Sequence, residues 1–155
     1  MDRTTRHDPV VPRAKKNGHG GARPGSGRPS IYGDPLSVDF CVRLNADQGR
    51  AIARWCTRDR IPVGAMMREV ALPIAGASSL GVGLDKVRVE EPVQLDVGAD
   101  GTKVIVKVTE RQATAMRAHC RKKNVAVSTW LREVALRYVG SPELGAEAIA
   151  ASARA

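Results

Sequence analysis

Residues 38–44, Val-Asp-Phe-Cys-Val-Arg-Leu, alternate apolar and polar side chains. A period of two predicts a strand with Val38, Phe40, Val42 and Leu44 on a buried face and Asp39, Cys41 and Arg43 outward. Asn45 follows with a side-chain oxygen suited to capping a helix. From about Ala46 to Asp59 the positions Ile52, Trp55 and Cys56 return at helical spacing, which marks a face packed on a core. Arg60 ends this helix, and Pro62 opens a second near Val63, where its missing N–H costs nothing. Val63, Met66, Met67, Val70 and Ile74 form the buried stripe of the second helix. Pro73 predicts that it stops near Leu72.

The same order returns further along. Lys103–Val108 alternates with Val104, Val106 and Val108 inward and Lys103, Ile105 and Lys107 outward. Thr109 is a good cap, a helix is predicted from about Glu110 to Lys123 with Met116, His119 and Cys120 on its stripe, and Asn124 suits a left-handed end. The following helix, beginning near Val127, buries Val127, Trp130, Leu131, Val134 and Tyr138. Cys41–Gly76 overlies Ile105–Gly140 with no gap, 36 positions of which eleven are identical, including Arg-Glu-Val-Ala-Leu at 68–72 and 132–136. Gln48 and Cys56 fall on Gln112 and Cys120. A repeat of this kind is a duplicated strand–helix–helix unit. One unit of about forty residues buries too little apolar surface to fold alone, and its single strand leaves backbone groups that need a partner. The copies are therefore expected to complete each other.

Composition changes the picture at the flanks. The chain has 155 residues and a net charge of +9, unevenly spread. Residues 1–36 carry 7 basic and 3 acidic side chains, are rich in Gly and Pro, lack hydrophobic periodicity, and read as a disordered basic arm. Repeat one (37–76) is net +2, the connector 77–101 net −3, repeat two (102–140) net +7, and the Ala-rich tail 141–155 net −1. The connector reads as a mobile linker, or, through Val87, Val89, Val93 and Leu95, as an extra strand or a scaffold segment that holds a protein partner. A chain this basic favours polyanions, nucleic acid above all. No apolar run approaches the ~18 residues of a membrane span, and no apolar leader appears at the N-terminus. Three cysteines without metal spacing fit reduced thiols, and the expected location is the cytoplasm. Cys56 and Cys120 read as small buried hydrophobes.

The stretch Asn124-Val125-Ala126-Val127-Ser128-Thr129-Trp130-Leu131-Arg132-Glu133, set after a strand and a first helix, resembles the ribbon-helix-helix family of DNA-binding proteins. Repeat one departs from the family pattern, with Pro62, Gly64 and Ala65 where small hydroxyls are usual. The resemblance covers residues 37–76 and 101–140. It implies a mainly α fold with a short two-stranded antiparallel ribbon, the tandem units forming an intramolecular pseudo-dimer. Two units in one polypeptide resemble TraY-type transfer proteins. The Gly-Arg-Pro arm ahead of a Val-x-Leu strand is similar to MobC-type plasmid mobilisation proteins, which assist a relaxase in a relaxosome.

The ribbon of that family enters the major groove, so the resemblance implies that Asp39, Cys41, Arg43, Lys103, Ile105 and Lys107 face the bases. Arg43 or Lys107 suits guanine, Ile105 suits a thymine methyl, and Asp39 either accepts from a cytosine amine or repels DNA. The starts of the second helices, at Gly64, Ala65, Ser128 and Thr129, offer backbone N–H groups or hydroxyls to phosphates. In the arm, Gly27-Arg28-Pro29 resembles part of an AT-hook, and Arg23 and Arg28 either reach DNA or only add charge. Arg121-Lys122-Lys123 either grips phosphates or is a solvated helix end, and the Arg-Glu pairs at 68–69 and 132–133 read as scaffold ion pairs. No nucleophile–base grouping, phosphate loop or metal cluster is present, so no enzyme activity and no cofactor are expected. The expected partner is double-stranded DNA, with a relaxase or coupling protein beside it. The chain would act as a monomeric pseudo-dimer or as a higher assembly on DNA. Origin binding in plasmid transfer and conjugation is the leading reading; a transcriptional repressor, autoregulator or antitoxin is the alternative.

Overall fold

The computed structural model describes residues 30–145. Its elements run β1 (Val38–Leu44), α1 (Ala46–Asp59), α2 (Val63–Ile74), a 3-10 turn (Ser78–Leu80), the single-turn α3 (Leu84–Val87), β2 (Thr102–Val108), α4 (Glu110–Lys123) and α5 (Val127–Tyr138). The N-terminal arm up to residue 29, with Arg23 and Arg28, and the tail from 146 lie outside the described residues.

Both first helices start in capping boxes. Asn45 Oδ1 accepts from Gln48 N–H at 2.9 Å while Gln48 Oε1 accepts from Asn45 N–H at 3.0 Å. Thr109 and Gln112 repeat the exchange at 3.2 and 2.9 Å. Each box satisfies donors that a helix start otherwise leaves open. Both helices end in the left-handed region, Arg60 at φ 55 and Asn124 at φ 51. The connecting turn therefore has the same shape in both repeats, although one cap is an arginine.

Two expectations about the second helices are corrected. First, α2 does not stop at Leu72 but carries Pro73 within its last turn. So near the end a proline removes one N–H and little else, and the end still closes through Ala75 N–H to Ala71 O at 3.0 Å. Second, Ile74 and Tyr138 are not buried: 51% and 42% of their surfaces face solvent. These paired last turns overshoot the core, and Tyr138 lies edge-on to Trp55 at 5.1 Å between ring centroids.

β1 and β2 pair antiparallel, with Val38 opposite Val108, Cys41 opposite Ile105 at the centre, and Leu44 opposite Thr102. Val42, Leu44, Val104, Val106 and Val108 are buried and Phe40 is partly so, while the alternate residues are exposed. The core is shared between the repeats. α2 packs on β2, α5 on β1, and α2 and α5 on each other. Neither copy closes a core with its own strand alone, as the size argument requires. Val42, Ile52, Met66, Met67, Leu72, Val106, Met116, Leu131 and Leu136 are fully buried, each contributing ~1.5–3 kcal/mol by leaving water.

The duplication extends beyond Gly76 and Gly140. Gly-Ala-Ser-Ser-Leu-Gly at 76–81 answers Gly-Ser-Pro-Glu-Leu-Gly at 140–145. Leu80 and Leu144 receive a reciprocal pair of hydrogen bonds: Gln112 Nε2 donates to Leu80 O at 2.8 Å, and Gln48 Nε2 to Leu144 O at 3.0 Å. Each repeat's capping glutamine thus latches the end of the other repeat.

The connector is neither a free linker nor an extra strand. Val89 N–H donates to Arg60 O at 2.8 Å, Thr57 Oγ1 to Val93 O at 2.8 Å, and the Val97 side chain packs against Gly49. The acidic segment therefore lies along α1, with Val87 buried. Gly101, at φ +97, leads into β2 so close to the Leu44 carbonyl that an added Cβ would overlap it.

Candidate nucleic-acid interface

The outward face of the sheet carries three cross-strand pairs. At one end Lys107 Nζ lies 3.4 Å from both carboxylate oxygens of Asp39. The centre is apolar, Cys41 beside an exposed Ile105. At the other end Arg43 faces Lys103. Like charges directly opposite weaken a ribbon, and among the described residues neither cation has a carboxylate in ion-pair range. The face is therefore polarised: neutralised at the Asp39 end, doubly cationic at the Arg43 end. All six strand residues singled out from the sequence come together on it.

Of the other six expected residues, Arg23 and Arg28 lie outside the described residues and the remaining four flank this sheet from behind. α2 starts after Pro62 and α5 after Ala126, and neither start receives a side-chain cap, unlike α1 and α4. A Cβ on Gly64 would stand 2.7 Å from the Ile105 carbonyl oxygen, so the α2 start is pressed against the back of β2. α5, carrying Ser128 and Thr129 in its first turn, packs on β1. The two uncapped helix starts thus bracket the sheet, each with N–H groups that are anion sites in principle. Gly64, Ala65, Ser128 and Thr129 are half-buried.

A buried network missed by sequence reasoning anchors one end of the sheet. The identical Arg-Glu pairs have different fates. In α2, Arg68 Nε lies 3.2 Å from Glu69 Oε1, and Arg68 Nη1 donates to Lys107 O at 2.7 Å. Glu69 also accepts from the Tyr32 hydroxyl at 2.5 Å and from the N–H groups of Val82 and Gly83, both at 2.9 Å. Burial pushes the Glu69 carboxyl upward, but hydrogen bonds from Tyr32, Gly83, Val82 and Arg68 outweigh it and hold it below the ordinary carboxylate value. Burial, then the Glu69 hydrogen bond, holds the Tyr32 phenol well above its usual range. Tyr32 also lies under the Arg68 guanidinium at 4.6 Å. In α5 the expected partner pair does not form: Arg132 and Glu133 are not in ion-pair contact, and Arg132 Nε is buried without a hydrogen-bond partner among the described residues. The only sequence signal for the network was the repeated Arg-Glu block, which says nothing about Tyr32.

Cys56 and Cys120 are buried, and burial raises both thiols, Cys56 to about 12. His119 lies against Trp130, with ring centroids 4.9 Å apart and planes tilted by 40°. Among the described residues no helix is long and apolar enough to cross a membrane. No protein-family model, no curated protein and no solved structure matches this chain.

Proposed function

We propose that this protein binds double-stranded DNA and reads sequence with the outward face of its two-stranded sheet, as a single-chain ribbon-helix-helix protein. The observation that carries this reading is the β1–β2 pairing, which joins Arg43, Lys103, Ile105 and Cys41 into one cationic and apolar face between two uncapped helix starts. A two-stranded ribbon fits the major groove. Arg43 and Lys103 are the base-reading cations, because Lys107 is already engaged by Asp39. Ile105 and Cys41 meet apolar base edges. Phosphates on either side are taken by the N–H groups at Gly64 and Ala65 and at Ser128 and Thr129, with the hydroxyls adding donors. Arg121-Lys122-Lys123 and the arm, with Arg23 and Arg28, supply charge.

The tandem arrangement and the basic arm favour a relaxosome accessory role at a transfer origin, with a relaxase or coupling protein as neighbour. Repression at an operator uses the same DNA contact. Selection of bound duplexes from a random pool tests the contact itself: an enriched sequence is expected, and its loss in Arg43→Ala/Lys103→Ala. A chain that retains no duplex above the level of unrelated basic proteins overturns the proposal. Mapping of bound DNA in the host cell separates a transfer origin from a promoter.

A further inference from the structure

The two repeats differ on one surface whose lining includes no strand residue; Lys123, which also supplies charge in the proposed DNA contact, lies on its rim. On repeat two an open groove of about 590 Å³ runs between the α4–α5 turn and the end of α2. Trp130, 5% exposed, forms part of its apolar lining, Ile74 and Tyr138 offer exposed apolar surface, and Lys123 and Arg137 contribute cations, with Glu133 as its one carboxylate. Arg121 and Lys122 adjoin Lys123 in the last turn of α4. The counterparts of Lys123 and Arg137 in repeat one are Asp59 and Pro73, so the cationic rim belongs to one repeat only.

Repeat one carries the complement. Val89, 37% exposed, and exposed Glu90 and Glu91 stand beside the end of α1, fixed there by Val89 N–H to Arg60 O and by Arg60 Nη1 to Glu90 O at 3.3 Å. Neither carboxylate is in an ion pair among the described residues. Arg60 and Asn124 are equivalent residues, so the acidic segment and the cationic rim occupy corresponding places on opposite repeats. Thr57 and Gly49 hold the rest of the connector along α1, and no residue of the segment lines its own chain's groove.

We propose that the groove on repeat two docks the Val89-Glu90-Glu91 segment of a second copy of this chain. Val89 covers the apolar floor near Trp130 and Tyr138, while Glu90 and Glu91 meet Lys123 and Arg137. Each molecule then presents one donor and one acceptor of different kinds. Such a contact is heterologous: it builds a closed ring if its rotation closes and head-to-tail rows if it does not. The proposal goes beyond DNA reading and is testable without DNA.

The test is sedimentation of the full chain at low ionic strength, where surface charge pairs are least screened. The wild type is expected to form concentration-dependent dimers and longer species that high salt disperses. Glu90→Lys/Glu91→Lys sets like charge against like, and so does Lys123→Glu/Arg137→Glu; each double variant is expected to stay monomeric with an unchanged circular dichroism spectrum. Mixed in equal amounts, the two variants are complementary at both contacts, and association is expected to return. A wild type that remains monomeric at every concentration overturns the proposal, as does association that survives either charge reversal or fails to return on mixing. A wild type that associates only after residues 146–155 are deleted also overturns it, since the chain's own tail would then be the occupant.

Discussion

Glu69 gathers four hydrogen bonds at one buried side chain. It ties Tyr32, Arg68, Val82 and Gly83 at one point, so the start of the described chain, α2 and the connector meet there. Removing one partner of a buried ion pair leaves an uncompensated charge and costs ~3–5 kcal/mol; Arg68→Ala is expected to lose stability on that order in denaturant melts. The lowered Glu69 carboxyl gives the sign of a pH effect. Its contribution is complete above the unfolded value near 4.5 and is lost as pH falls through the lower folded value. Glu69→Gln should flatten the acid limb of the stability profile; an unchanged limb would assign it to other carboxylates. On the face proposed to read DNA, Arg43→Ala should relax base preference at one position by ~1–3 kcal/mol. Lys107→Ala should relax it less, because Asp39 already holds that ammonium. Binding measured against single-base variants of the selected site separates the two.

Local signals foretold the elements with few errors. Alternation placed both strands, and β2 gained only Thr102 at its start. Asn45 and Thr109 placed the helix starts because a cap is a contact over three residues, within reach of sequence inspection. Pro73 misled because its effect depends on position within the last turn and not on its presence. Ile74 and Tyr138 misled because periodicity gives the face of a helix but not how far a neighbour extends along it. Within the helices, Gly64 is the glycine that approaches a neighbour's backbone most closely. Gly64→Ala forces α2 away from Ile105 O and should cost ~1–3 kcal/mol as overpacking; differential scanning calorimetry reads the loss. A neutral result would mean that the α2 start can shift outward without loss of packing.

For the molecule as a unit, both strands of the sheet belong to one chain, so folding is unimolecular. At high salt the unfolding midpoint should not depend on protein concentration, whereas two-chain assembly would make it rise. The two ends of the outward face differ, Asp39–Lys107 against Arg43–Lys103, so the proposed DNA site should be asymmetric. The described chain begins beside the Asp39–Lys107 end, through Tyr32 and Arg68. Deleting residues 1–29 should lower affinity for all sequences, with a smaller salt slope, and leave that asymmetry in place. Equal protection on both arms of an inverted repeat would contradict this.

The duplicated strand–helix–helix pattern, its caps and the inward and outward faces of each strand were legible from residue order, because each depends on neighbours within a helical turn or on a period of two. Strand partnership was implied by size and backbone accounting, but its register, Cys41 against Ile105, came from packing the two copies together. Long-range contacts determined the rest. Tyr32 on Glu69, Gln48 and Gln112 latching opposite repeats, the connector laid along α1 and the open groove on repeat two join residues far apart in the chain. No local pattern encodes such pairings, because they depend on which surfaces remain to be covered once the shared core has closed.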